Sequence, residues 1–261
     1  MQKRDDLRTG CHDRVVTAVR ERLLAVMDHK SHWAYPCLTR PGLTRDQLLV
    51  HFRHEYLVYV RDFPALLGAA LGVTPPLPDV RHALAENLYE EQTGGLSHTE
   101  AHPALFLRMM AGLGWDAGAF DDDDAWLHPD ARRYRDFLRE RSRATPWQAA
   151  VALLTIFVEG SVHERAELAG THARRVGEDA VREHPLVKFY GCPPAAMALT
   201  RAHAQVEGGH RADAWRIVLG STPDEGDAAH AVVDTCECAL AAWHAYRDGV
   251  ARRMGLERAA A

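Results

Sequence analysis

The chain has 261 residues, of which 47% are hydrophobic and 26% charged, and its formal net charge is −5 with histidine neutral. This is the balance of an ordinary soluble protein with a substantial core, and the mixed charges argue against a nucleic-acid partner. No apolar run approaches the roughly 20 residues of a membrane helix, and the polar N-terminus lacks the apolar stretch of a signal peptide. We therefore expect a cytoplasmic protein without nucleic-acid or membrane partners, with homodimerisation left open.

The hydrophobic pattern is helical along almost the whole chain, with apolar residues at three- and four-residue spacing. A first helix is predicted over 14–28. A second follows Thr44, which forms a capping box with Gln47, and continues to Gly72 with a kink at Pro64. Further helices are predicted over about 80–92, 102–114, 130–143, 147–169, 195–219 and 227–254. The sequence thus predicts one all-α domain over 1–261, with a core at about 12–255 and seven or eight helices.

Two groups of residues give no convincing site. The five cysteines form no C-x-x-C pair, so neither a disulfide framework nor a thiolate zinc site is expected. Cys192 has no clear base beside it, which disfavours a nucleophilic role. Asp121 to Asp124 form an acidic run, for which a solvated loop is the expected role rather than a cation site.

The strongest chemical signal is the pattern H-x3-E-x2-H formed by His203, Glu207 and His210. Because each residue of an α-helix turns about 100°, these three side chains project from one stripe. Imidazole together with carboxylate suits iron, manganese or zinc. The stripe is therefore a candidate metal site, with an exposed polar face as the alternative interpretation.

A second candidate is Glu159, which directly follows the apolar run "LLTIFV". A carboxylate at the end of such a run is predicted to be buried and to need a partner, because unpaired burial costs several kcal/mol. That partner is either a metal ion or an arginine. His163, one turn later, is a weaker alternative ligand.

A third candidate is the pair Glu91 and His102, which end one helix and open the next across a glycine-rich turn. Such a turn can bring both side chains to a common point. Four nearby residues compete for the same role: Glu86, Glu90, His98 and Glu100. The three candidates together supply three carboxylates and three imidazoles, the ligand types from which helical bundles build sites for two metals.

This order of residues resembles the haem-oxygenase-like diiron oxidases and oxygenases, whose motif is an E…H pair, a lone E and H-x3-D/E-x2-H. The matching stretches are "NLYEEQTGG", "AHPALF", "FVEG" and "HAQVEGGH", within about residues 45–220. The resemblance implies a haem-oxygenase-like helical bundle that binds two Fe(II) ions and uses O2 as co-substrate. The implied metal ligands are Glu91, His102, Glu159, His203, Glu207 and His210. Glu207 departs from the pattern, since aspartate is more usual at that position.

The resemblance also implies an activity in natural-product biosynthesis. The expected reaction is N-oxygenation, or oxidative C–C or C–H cleavage, of an amino acid or its derivative. Because "VEG" and "HAQV" resemble a fatty-acid decarboxylase, oxidative decarboxylation is an alternative. A metal-independent enzyme similar to pyrroloquinoline-quinone synthase or to thiaminases is a further one. Three aromatic residues either line the substrate pocket or belong to the core: Tyr56, Tyr59 and Phe63.

Overall fold

The computed structural model describes residues 18–121, 123–223 and 225–258, without the side chains of 207–210. Within these ranges all regular elements are helices and no strand occurs, so the all-α prediction is confirmed. The helices are α1 (18–28), α2 (Tyr35–Leu38), α3 (Arg45–Glu55), α4 (Phe63–Val73), α5 (Pro78–Thr93), α6 (His102–Gly112), α7 (Pro129–Arg141), α8 (Trp147–Val151), α9 (Glu164–Leu168), α10 (Gly177–Arg182), α11 (Pro185–Tyr190), α12 (Ala198–Ser221) and α13 (Asp227–Arg253). They are more numerous than the seven or eight predicted, because two predicted helices are divided and short ones precede α12.

The predicted second helix is two helices. Its start is confirmed, because the Thr44 hydroxyl accepts from Gln47 N at 3.2 Å while Gln47 Oε1 accepts from Thr44 N at 2.8 Å. α3 then passes into a π-helical turn over Tyr56–Val60, and α4 begins at Phe63. Pro64 lies in the first turn of α4, where proline is favoured. The interruption predicted at Pro64 is therefore present, but it lies at Arg61 and Asp62, and the proline opens the helix that follows.

The stretch Arg45–Val73 is, among the described residues, the one helical segment long and apolar enough to cross a membrane by length and composition. In the fold it supplies core residues, and Leu57, Leu67 and Ala70 are fully buried. A core helix of a soluble protein passes the same test, so the stretch is weak evidence for a membrane span.

The predicted helix over 147–169 ends early. α8 continues as a π-helix over Ala152–Val158, after which a turn leads to α9. The ammonium group of Lys30, which follows α1, donates to three backbone carbonyls at this end: those of Phe157, Val158 and Gly160. Terminal carbonyls of a helix lack partners within the helix, and a cation there is favourable. A side chain at position 160 would overlap the carbonyl oxygen of Ile156, so the turn requires glycine.

Two long helices organise the packing. α13 packs on α7, α3, α8 and its π-helical continuation, and α12 packs on α5, α6, α10 and the same π-helical segment. α5, α6, α12 and the end of Ala152–Val158 therefore surround a common interior space. These are the elements that carry the candidate metal ligands.

A buried ion pair joins α3 to α13. The carboxylate of Glu55 accepts from both terminal nitrogens of Arg247, from the Tyr246 hydroxyl at 2.7 Å and from the Tyr59 hydroxyl. Burial alone would raise the pKa of Glu55, but the guanidinium and the hydroxyl donors hold it at about 2. The group is thus an ionised pair that fixes Tyr59 at the end of α3.

A neutral histidine is buried between α3 and α7. His54 is fully buried, its Nδ1 lies 2.6 Å from the carbonyl oxygen of Val50, and its Nε2 accepts from His128 N at 3.2 Å. The Nδ1 nitrogen therefore carries the proton, and a second proton on Nε2 would break the bond from His128. Burial lowers the pKa of His54 to about 4.

This histidine makes stability depend on pH. The folded pKa lies below the unfolded value near 6.5, so the unfolded state binds more protons and stability falls as pH drops from about 6.5 towards 4. Between pH 7 and pH 5 the wild-type protein is expected to lose about 2 kcal/mol more than His54→Gln. Urea unfolding at both pH values measures the difference. Equal losses in the two proteins would show that His54 does not carry this dependence, and His82→Gln, at an exposed site, is the matched control.

Candidate metal centre

Three of the predicted ligands meet between helices α5, α6 and α12. One nitrogen or oxygen atom each from Glu91, His102 and His203 lies within 4.8 Å of the other two. His102 Nδ1 is 2.8 Å from Glu91 Oε1, and the rings of His102 and His203 have centroids 4.9 Å apart. Ligands about 2.1 Å from one ion and at right angles to each other lie about 3 Å apart, which matches the pair formed by Glu91 and His102.

The turn between α5 and α6 makes this approach possible. α5 ends at Gly94, which adopts a left-handed conformation with φ 65°. A side chain there would overlap the backbone of Glu100, which packs against the turn. His102 opens α6 with Pro103 in its first turn. The glycine-rich turn therefore brings the end of α5 and the start of α6 to a common point, as the sequence predicts.

Glu90 orients His102 rather than joining the group. Its fully buried carboxylate accepts from Leu96 N at 2.8 Å and Ser97 N at 3.0 Å, and lies 3.1 Å from His102 Nε2. Burial opposes its ionisation, but these donors hold the pKa of Glu90 below its usual value. A carboxylate that receives the second ring N–H of a metal-binding histidine is the usual support of such ligands.

The other ring nitrogen of His102 has no hydrogen-bond partner of acceptable geometry, although Glu91 Oε1 lies close. The imidazole is 2% exposed, so this nitrogen is buried. Burial opposes protonation of the ring, but Glu91 and Glu90 outweigh it and raise the pKa of His102. With Nε2–H given to Glu90, Nδ1 faces a carboxylate oxygen, and either a proton on Nδ1 or a metal cation shared with Glu91 would satisfy both groups.

His203 is suited to complete the group. Its ring is partly buried, and loss of solvation, followed by the proximity of His102, lowers the pKa of His203 to about 4. The imidazole is therefore neutral at physiological pH, the form that binds metals. Two imidazoles and one carboxylate fit a divalent metal ion such as iron.

Glu159 lines the same cavity of about 200 Å³ as this group. It lies outside the set of atoms within 4.8 Å of one another. Glu159 Oε1 accepts from Asn87 Nδ2 at 2.6 Å, and Asn87 lies one turn before Glu91 on α5. Four predicted ligands therefore border one cavity. The side chains of Glu207 and His210 lie outside the described residues.

Both π-helical segments contribute to the cavity wall. Tyr59 and Val60 come from the first, and Thr155 and Val158 from the second. Such segments are rare and occur frequently at functional sites. Of the three aromatic residues considered from the sequence, Tyr59 and Phe63 line the cavity, whereas Tyr56 stacks on Phe106 in the core.

The competing candidates are engaged elsewhere. Glu86 lies 3.2 Å from His82, Glu100 pairs with Arg108, His98 is exposed, and His163 stacks on His172. Asp124 lies 2.7 Å from Arg135, and Asp123 caps its own turn through Ala125 N. Cys192 is buried, which raises the pKa of its thiol and disfavours nucleophilic chemistry.

The supporting roles of three residues were not predicted from the sequence. The sequence could have indicated Asn87, because it lies four residues before Glu91 and therefore on the same face of the helix. Glu90 had been considered only as a ligand. Arg211, the residue directly after the H-x3-E-x2-H stripe, donates to Glu164 Oε2 at 3.0 Å, to Glu167, and to the backbone carbonyl of Glu159 at 3.3 Å. It therefore ties α12 to the turn that carries Glu159.

Comparisons with known proteins give the family and the fold of the chain. A family described as iron-containing redox enzymes matches residues 50–244. The chain belongs to this haem-oxygenase-like family of iron-containing redox enzymes. A TenA homolog from Pseudomonas syringae pv. tomato str. DC3000 shares the fold, with a TM-score of 0.63 and 12% identity over 92% of this chain and 93% of the other. At that identity the likeness concerns the fold alone. No curated protein matches in sequence.

Proposed function

We propose that this member of the family is a non-haem diiron oxidase or oxygenase that consumes O2 to oxidise a small molecule in the cytoplasm. The observation that carries the proposal is the convergence of Glu91, His102 and His203, whose ligand atoms lie within 4.8 Å of one another at the wall of one cavity. Two imidazoles and a carboxylate suit a divalent metal ion such as iron. Glu91, His102 and His203 are the proposed ligands of one iron.

The second iron is assigned from the sequence pattern. Glu159 lines the cavity, and Glu207 and His210 follow His203 on the helical stripe. Three carboxylates in the set offset three of the four positive charges of a di-ferrous pair. Iron supplies the chemistry of O2 and substrate oxidation when it is bound. A metal-independent quinone synthase or thiaminase would not require this ligand set.

The remaining residues of the cavity hold the ligands in place and exclude water. Glu90 fixes the ring of His102, and Asn87 fixes the carboxylate of Glu159. Tyr59, held by Glu55, and the apolar side chains of Phe63 and Val158 form the dry wall. Such preorganisation by supporting residues is what keeps a metal site in its reactive geometry.

The substrate that the cavity supports best is a short polar molecule. A volume of about 200 Å³ suits an amino acid or its derivative, and Arg211 at its edge is already paired with Glu164 and Glu167. The expected outcome is N-oxygenation, or oxidative C–H or C–C cleavage. A long acyl chain requires an extended apolar tunnel, so fatty-acid decarboxylation is less favoured.

Iron stoichiometry tests the ligand assignment. After anaerobic loading with Fe(II) and desalting, the wild-type chain is expected to retain two irons, and Glu207→Ala one, because no other carboxylate shares that stripe within a turn. Metal analysis with circular dichroism as a folding check gives the result. Unchanged iron content in the folded variant would remove Glu207 from the site, and an iron-free wild type would refute the diiron proposal.

A further inference from the structure

A second, larger cavity adjoins the candidate metal centre. This cleft has a volume of about 870 Å³ and lies between α9, α10 and α12. His203 and Arg211 line both the cleft and the metal cavity, so the two spaces meet at these side chains. A substrate whose reacting end enters the smaller cavity therefore has its remainder in the cleft.

The described residues of the cleft wall carry an excess of cations. Three arginines and several histidines face one carboxylate, that of Glu167. Arg174 Nε donates to Glu167 Oε1 at 2.8 Å, and Arg211 is held by Glu167 and by Glu164, which lies beneath it. The two carboxylates are thus shared between two arginines. Arg175, exposed on the cleft wall, has no ion pair within the described part of the chain.

Histidines add donors to the same cleft wall. The exposed rings of His163 and His172 stack with centroids 4.5 Å apart and an interplanar angle of 17°. His184 Nδ1 accepts from Leu186 N at 3.2 Å, so in the neutral ring the proton is on Nε2, which is left as a donor. All three histidines line the cleft.

We propose that the cleft binds an oxyanion group of the substrate, a carboxylate or a phosphate, with Arg175 as the principal contact and His172 and His184 as further donors. The guanidinium fork matches the two oxygens of either group, and its hydrogen bonds to an anion are stronger than neutral ones. A cationic substrate group would instead meet like charge. The inference rests on the proposed function for what happens in the metal cavity, but anion binding in the cleft does not require iron.

The test compares an anion with its neutral analogue. Ligand-observed NMR titrations with hexanoate, hexanamide and inorganic phosphate are made on wild type, Arg175→Ala and Arg182→Ala, each metal-free and loaded with Fe(II). Arg182 is an exposed arginine outside the cleft wall, so its variant removes the same charge without the contact. Wild type is expected to bind hexanoate or phosphate more tightly than hexanamide. Arg175→Ala is expected to weaken anion binding about tenfold, and Arg182→Ala to leave it unchanged.

Three results overturn the inference: neither hexanoate nor phosphate binding more tightly than hexanamide, no binding of either anion to wild type, or anion binding by Arg175→Ala as tight as in wild type. The tighter of the two anions identifies the group as carboxylate or phosphate. The iron content of the same samples separates the two proposals. Anion binding without iron retention refutes the diiron assignment but supports anion binding in the cleft. Iron retention without anion binding refutes only the proposal of anion binding in the cleft.

Discussion

Replacing His102 with alanine is expected to weaken Fe(II) binding by more than about 100-fold, because loss of the supporting residues of a metal site alone costs 10- to 100-fold. The change removes the nitrogen that faces Glu91. It also leaves the buried carboxylate of Glu90 without its side-chain partner. Glu90→Gln, which keeps the ligand but alters its support, is expected to weaken binding about 10- to 100-fold. Anaerobic equilibrium titration with a competing chelator measures both.

His82→Ala is the control for this experiment, because it removes an exposed histidine from α5 without touching the cavity. Its affinity for iron is expected to equal that of wild type. His203→Ala provides a second test of the site if His102→Ala does not fold. His203 is only partly buried, so the fold is expected to tolerate its replacement. Wild-type affinity in folded His102→Ala and His203→Ala would contradict the proposed first iron site.

Glu55→Ala is expected to destabilise the protein by about 3–5 kcal/mol, the usual cost of removing one partner from a buried ion pair. The substitution leaves the guanidinium of Arg247 buried and uncompensated and takes the acceptor away from the hydroxyls of Tyr59 and Tyr246. Because the pKa of Glu55 is held at about 2, the pair is ionised at neutral pH. Urea unfolding at pH 7 measures the loss.

A surface pair provides the comparison. Arg216 and Asp213 are exposed on α12, and Arg216→Ala is expected to cost less than about 1 kcal/mol. The double variant Glu55→Met with Arg247→Met is expected to be more stable than Glu55→Ala, because no unpaired charge remains buried. A loss below about 1 kcal/mol in Glu55→Ala would show that water or another group reaches Arg247.

Features set by local sequence were predictable. The capping box of Thr44 and Gln47 depends on residues three apart, and the approach of Glu91 to His102 depends on a short turn with Gly94. In both cases the chemistry of a few neighbouring residues decides the geometry. The all-α class likewise follows from hydrophobic periodicity, which local spacing reports directly.

Features set by contacts between distant parts of the chain were not predictable from the sequence. The helix predicted over 147–169 ends at Val158, where Lys30, more than a hundred residues earlier, donates to its terminal carbonyls. The sequence of the helix alone contains no sign of that cation. The support of His102 by Glu90 was also missed, because a buried carboxylate is equally suited to bind a metal or to orient a ligand until its hydrogen bonds are known.

The reaction of the Fe(II)-loaded protein with O2 tests the central claim most directly. Stopped-flow mixing of the anaerobic di-ferrous protein with O2 is expected to give a visible absorption that is absent from the metal-free and zinc-loaded protein, together with O2 uptake that substrate accelerates. The ligand set predicts this, since six protein ligands leave open positions on two irons that each prefer five or six. If no absorption develops, and activity persists with zinc and without O2, the protein is a hydrolase and the redox account is wrong.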